Sequence, residues 1–229
     1  MPRGISRMGE SFADCNDLFA GTLVCDSLLF ERTAREAGYS RIAGIDEAGR
    51  GPLAGPVVAA AVVLPGGLLI SGLTDSKQVT QKTRDRLFDI IREKAVCFGI
   101  GIADERLIDA VNILQATIIA MERALQQMSP SPDYLLIDAL TLPRTSIPQN
   151  GIIKGDCRSH SIAAASILAK VTRDRLMFEL HERYPQYNFK KHKGYGTREH
   201  IAMLQKHGPC EAHRKTFNPV AQMLKGTVQ

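Results

Sequence analysis

Residues 57–64 are apolar at every position, with none of the alternation of a half-exposed strand. That pattern predicts a strand covered on both faces. Just before it, Ile42, Ala43, Ile45 and Ala48 outline another strand over 42–48, and Gly49, Gly51, Pro52, Gly55 and Pro56 mark a turn between the two. Leu87, Ile90 and Ile91 recur at spacings of three and four, predicting a helix over 80–94. A third strand is expected at 95–103. A helix follows at 110–128, with Ile113, Ala116, Thr117, Ala120 and Leu125 near one face and Pro130 and Pro132 ending it. Residues 134–139 and 151–154 read as two further strands. The longest helix spans 161–183 and stops before Pro185. Leu28, Leu29, Phe30 and Ala34 suggest a short leading helix, and 197–206 and the C-terminal tail read as helical or irregular. Three strands followed by alternating helix and strand predict an α/β fold, a mixed five-stranded sheet flanked by helices with a helical C-terminal extension. Residues 1–25 lack periodicity and are expected to be a disordered extension. No repeat or long linker divides 26–229, which reads as a single domain.

Composition narrows the function little. Of 229 residues, 44% are hydrophobic and 23% charged, which is ordinary for a globular chain. A net charge of +5 favours polyanions, nucleic acid above all. Five cysteines (Cys15, Cys25, Cys97, Cys157, Cys210) are widely spaced and form no Cys-x-x-Cys, so reduced thiols in the cytoplasm are expected, not a disulfide framework or a zinc site. The histidines are scattered, without zinc-ligand spacing. Glu10, Asp14 and Asp17 interrupt the N-terminus, a poor signal peptide, and 57–64 is too short to span a membrane.

The chemistry begins at Asp46 and Glu47. Two adjacent acids at the edge of a core strand are costly unless paired, hydrogen-bonded or bound to a cation. Hard oxygen donors favour Mg²⁺ or Mn²⁺. Two-metal hydrolysis needs further carboxylates from distant segments. Asp138 ends the apolar run Leu135-Leu136-Ile137, and Asp174 follows the apolar stretch 162–171, whose only charge is Lys170. Each has a plainer reading. Asp138 could be a turn or capping acid, and Asp174 an ion-pair partner of Lys170, Arg173 or Arg175. Asp156 reads best as a cap for the long helix, with a place near the metals as the alternative. Neighbouring strand residues face opposite ways, so for Asp46 and Glu47 to share a site the strand must bend or end there, as Gly49 and Gly51 permit.

Several ordered segments resemble the bacterial ribonuclease HII family: Gly44 to Gly51, Asp75-Ser76-Lys77, Leu135 to Asp138, Lys154-Gly155-Asp156, Ala163 to Asp174, His192 to Thr197 and His213 to Phe217. The resemblance covers about 38–220. It implies a ribonuclease H-like fold and a metal-dependent endonuclease that cleaves the RNA strand of RNA–DNA hybrids. It further implies nicking of duplex DNA on the 5′ side of an embedded ribonucleotide, leaving 3′-OH and 5′-phosphate ends. By the same resemblance Asp46, Glu47, Asp138 and Asp174 hold Mg²⁺ or Mn²⁺. Gly49, Arg50 and Gly51 contact the ribose 2′-OH, the group that distinguishes RNA from DNA. Tyr195, among Lys190, Lys191 and Lys193, stacks on the sugar that follows. Lys77 and Arg214 are candidate phosphate contacts. About 40 residues precede Gly44, fewer than the extra N-terminal domain of ribonuclease HIII requires. The expected partners are the hybrid and ribonucleotide-containing duplex, with no membrane, for a monomer in the cytoplasm.

Overall fold

The computed structural model describes residues 26–73 and 79–226. Residues 1–25 and Lys77 lie outside it. The apolar run becomes β2 (Val57–Val63), buried at every position because helices cover both faces of the sheet. It pairs antiparallel with β1 (Ile42–Ala48) and with β3 (Cys97–Ala103). On its other edge β1 pairs in parallel with β4 (Tyr134–Asp138), which pairs in parallel with β5 (Gln149–Ile152). The sheet order is β3-β2-β1-β4-β5, the mixed five-stranded sheet expected.

The helices fill in around it. A short α1 (Leu29–Glu36) leads into β1, and α2 (Gln81–Lys94) begins at Thr80, whose hydroxyl accepts the Thr83 N–H. The stretch 110–128 is not one helix but two, α3 (Glu105–Val111) and α4 (Ile113–Gln126). They break at Asn112, which sits at φ +72° and accepts the Gln115 N–H through its side chain. Asparagine tolerates the left-handed region and caps well, while the apolar spacing runs straight across the break and hides it. One sheet face packs on α4, the other on α2 and α6 (His160–Arg183).

The approach of α6 is set by Gly44 in β1: a Cβ there would lie 2.1 Å from the backbone carbon of Ser161. The first half of α6 is accordingly buried on all sides, from Ile162 through Ala169. Its cap is Ser159 rather than Asp156. The Ser159 hydroxyl accepts the Ile162 N–H and donates to Glu31 of α1, and Glu31 also takes the Ser161 N–H. A carboxylate on two groups at a helix N-terminus suits the helix dipole. Asp156 instead lies inside a one-turn helix, α5 (Gly155–Arg158). Beyond α6, α7 (Phe189–His192), α8 (Arg198–His207) and α9 (Val220–Gly226) gather around Tyr187, Phe189 and Leu204, a small second core that also takes Met177 and Leu180 of α6. No described helix is long and apolar enough to cross a membrane.

Gly44→Ala should show how tightly α6 is seated. The added methyl meets backbone, not a flexible side chain, so the loss should reach about 3 kcal/mol or more, read by urea unfolding. A loss near zero would mean that the helix shifts freely.

Candidate active site

The parallel pairing of β1 with β4 sets Ile45 opposite Ile137. The next residue on each strand is an acid, Asp46 and Asp138. Asp46 lies two residues beyond Gly44 on the α6 side of the sheet, and Ser166 of α6 hydrogen-bonds to it. Its Oδ1 also accepts the Glu47 N–H at 2.7 Å. Asp138 Oδ1 accepts the N–H of Gly155, the first residue of α5, at 2.7 Å. The strand β1 does not end at Glu47. It stays paired with β2 to Ala48, whereas its pairing with β4 stops at Ile45. Asp46 and Glu47 therefore both border the space beyond the end of β4. There a cleft of about 300 Å³ is lined by the three acids, the loop residues Gly49, Arg50 and Gly51, the α6 residues Ser166, Lys170 and Arg173, and Tyr195.

The acids destabilise one another's charged forms. Burial pushes the Asp46 carboxyl well above its usual range, and the charges of Glu47 and Asp138 push it further. Burial also raises Glu47, against the pull of the Arg50 guanidinium 3.4 Å away. Glu47 Oε2 is buried with no hydrogen-bond partner. The cleft thus presents crowded, undercompensated oxygen donors and no imidazole or thiolate, a set that fits a hard divalent cation. Among the described residues no group of three or more Asp, Glu, His or Cys already stands in a metal-holding arrangement.

Asp174, expected beside the other acids, does not line the cleft. One turn after Lys170 on α6, its Oδ1 takes the Lys170 ammonium at 2.8 Å, and the pair is mostly buried. The ion-pair reading of Asp174 describes this geometry. It is Lys170 that faces the cleft. Asp156 is buried and directly follows Gly155, the residue whose N–H holds Asp138.

The loop after the acids is held by two buried arginines. Gly49 sits at φ +101°, where a Cβ would run into Arg173. Arg173, 1% exposed, donates to the carbonyls of Pro56, Lys193 and Ala54. Arg214 is fully buried and donates to Gly49, Arg50 and Gly55. That rules out its expected role as a phosphate contact. Burial lowers Arg173 to about 10 and Arg214 to about 9, so both stay charged at neutral pH. In sequence neither differs from a surface cation; only a site crowded with carbonyls reveals the role. Tyr195, 46% exposed, stands over Gly51 at the cleft rim.

The family model described as Ribonuclease HII matches residues 43–220. A protein named Ribonuclease HII from Acetivibrio thermocellus is 57% identical over 189 residues, 82% of this chain and 74% of that protein. Another of that name, from Ruminiclostridium cellulolyticum, is 58% identical over 190 residues, 83% of this chain and 74% of its own. Among solved structures, the ribonuclease H2 from Pyrococcus horikoshii OT3 superposes with a TM-score of 0.69 over 82% of this chain and 98% of that one, at 24% identity, a likeness of fold.

Asp46→Asn should stabilise the metal-free protein. A carboxyl whose pKa is raised by folding opposes folding above that pKa, and the lost stability returns as pH falls through it. Asparagine removes the charge and keeps an acceptor for the Glu47 N–H. With chelator at neutral pH, Tm should rise by about 2–4 °C, the effect of roughly 1 kcal/mol in a chain this size. Wild type should gain stability on mild acidification and the variant less. A lower Tm in the variant would contradict this electrostatic account.

Proposed function

The chain belongs to the ribonuclease HII family, and from that membership we infer a ribonuclease H, an endonuclease that hydrolyses the RNA strand of RNA–DNA hybrids with divalent metal ions. It also nicks duplex DNA on the 5′ side of an embedded ribonucleotide, leaving 3′-OH and 5′-phosphate, and acts as a monomer with Mg²⁺ or Mn²⁺. The observation that carries this reading is three carboxylates, Asp46, Glu47 and Asp138, at the ends of adjacent strands in one cleft with the Gly49-Arg50-Gly51 loop.

Bound divalent ions supply the charge that an in-line phosphodiester displacement needs. Asp46, Glu47 and Asp138 hold them. Asp156 is the best-placed fourth donor, since it is buried and its neighbour Gly155 already touches Asp138. Asp174 has a supporting role: it holds Lys170, whose ammonium meets a substrate phosphate at the cleft wall. Main-chain groups of Gly49, Arg50 and Gly51 read the 2′-OH, which both donates and accepts. Arg173 and Arg214 keep that loop in shape, and Tyr195 stacks on the sugar after the ribonucleotide. The fold supports treating 26–229 as one catalytic unit that includes the C-terminal helices.

The direct test is a duplex with a single ribonucleotide, incubated with Mg²⁺, Mn²⁺ or chelator, the cut mapped to the nucleotide. Cleavage 5′ of the ribonucleotide with either ion, and none with chelator, is expected; a 3′-phosphate product would refute the chemistry. Asp138→Asn should lower kcat/KM by about 10³-fold or more, since several kcal/mol of metal charge stabilisation goes with it. Asp156→Asn should cost less than Asp138→Asn, and Asp174→Asn least of the three. A larger loss for Asp174 than for Asp156 would restore Asp174 as a metal ligand.

Tyr195→Ala should weaken cleavage at a lone ribonucleotide more than on a long hybrid. One stacked contact is worth roughly 1–3 kcal/mol, and at a junction it selects the phosphate that is cut. On a long hybrid every register offers a 2′-OH, so misplacement still yields a product. Equal losses in kcat/KM on both substrates would make Tyr195 a general binding residue.

A further inference from the structure

Beneath Tyr195 lies a buried pair of imidazoles that the chemistry above does not use. His200 and His213 are both fully buried, and their Nε2 atoms are 3.0 Å apart. His200 Nδ1 is 2.9 Å from the carbonyl of Tyr195, and His213 Nδ1 is 2.9 Å from the backbone nitrogen of Cys210. The backbone at each end dictates where the protons sit. The Cys210 N–H can only donate, so His213 Nδ1 carries a lone pair and its proton is on Nε2. That proton is donated to His200 Nε2, which leaves the His200 proton on Nδ1, donated to the Tyr195 carbonyl. Burial lowers both histidines to about 4, so both are neutral. Every polar atom of the two rings is satisfied, and the chain of hydrogen bonds has one direction.

One end of this chain holds the Tyr195 carbonyl, and Tyr195 lines the cleft; at the other end, the backbone of His213 adjoins the cleft loop. Tyr195 follows Lys193 and Gly194, both at positive φ, and its ring stands over Gly51. His213 precedes Arg214, which donates to the carbonyls of Gly49 and Arg50, and His213 bridges Ala54 of the same loop. The Gly194 carbonyl accepts the Leu53 N–H, and the Leu53 carbonyl accepts the Arg214 N–H. The segment that carries the stacking ring is thus tied to the loop that meets the 2′-OH by two routes, this backbone path and the two neutral imidazoles that hold the Tyr195 carbonyl. Tyr187 and Phe189 pack around the pair, and packing alone would not call for polar rings there, because buried polar atoms cost free energy unless paired.

We propose that His200 and His213 are positioning residues that fix Tyr195 relative to the Gly49-Arg50-Gly51 loop, and so set the preference for a ribonucleotide–deoxyribonucleotide junction over a long hybrid. This rests on the reading of Tyr195 as the stacking residue.

The test compares kcat/KM on a single-ribonucleotide duplex and on a long hybrid for His200→Ala, His200→Gln and His200→Asn, each with Tyr195 present and as Tyr195→Ala. Asparagine keeps a donor near the Nδ1 position, within reach of the Tyr195 carbonyl; glutamine keeps a polar group only near Nε2. Alanine and glutamine should lower the junction-to-hybrid ratio roughly 3- to 10-fold, the worth of one hydrogen bond, and asparagine should restore it. With Tyr195→Ala in place the His200 substitutions should no longer move the ratio. If the alanine variant does not fold, glutamine against asparagine decides. Equal ratios for those two, a uniform loss on both substrates, or a ratio effect that persists with Tyr195→Ala overturns the proposal. If Tyr195→Ala alone leaves the ratio unmoved, the stacking reading fails, and the proposal with it. If Tyr195→Ala shifts the ratio while His200→Ala and His200→Gln do not, only the proposal fails.

Discussion

Two buried guanidinium groups, neither in a direct ion pair among the described residues, hold the substrate side of this molecule together. Removing an arginine from water is expensive, and a buried guanidinium is tolerated when hydrogen-bond acceptors gather around it. Here Arg173 and Arg214 divide six carbonyl oxygens between them, those of Gly49, Arg50, Ala54, Gly55, Pro56 and Lys193. The planar fork of arginine suits this task in a way that the single point of a lysine does not. The carbonyls gain as well, since an irregular loop beneath other structure has no ladder to satisfy them. The loop can thus turn sharply after the acids and still be rigid. Its conformation is dictated from α6 on one side and from the C-terminal segment on the other.

Against that frame of positive charge stands the crowd of acids. Asp46, Glu47 and Asp138 raise the cost of one another's ionisation, and only part of that cost is offset by protein groups. Arg50 leans on Glu47, Ser166 on Asp46 and Gly155 on Asp138. The stability that the arginines lend to the loop lets the cleft tolerate this repulsion without rearranging. A site that kept its carboxylates comfortable without metal would have less to gain from binding one.

Much of the scaffold was legible in the chain. The unbroken apolar run of β2, the short apolar segment before Asp138 and the apolar first half of α6 each report burial, and burial determined where the strands and the central helix lie. The acids at strand ends could be picked out because a charge next to such a run needs a reason. What stayed hidden depends on partners that leave no periodic trace. The break at Asn112 costs one left-handed residue inside a continuous apolar stripe. Asp174 and Asp156 both follow plausible patterns, and only the packing of Lys170 and Gly155 separates them. Arg214 sits between His213 and Lys215 in a polar stretch that reads as surface, although the chain buries it completely. The proton order of the two histidines depends on a carbonyl and an amide at opposite ends of the pair.

The position of Arg214 near the end of the described chain has a consequence for biosynthesis. The chain is made from its N-terminus, and a domain folds as a unit once its parts are present. The strands that bear Asp46, Glu47 and Asp138 are all made well before Arg214 appears. Until it does, the loop that meets the substrate lacks one of its two clamps, and Tyr195 lacks the support of His213. The residues that hold the loop in shape are therefore made late, after every cleft acid.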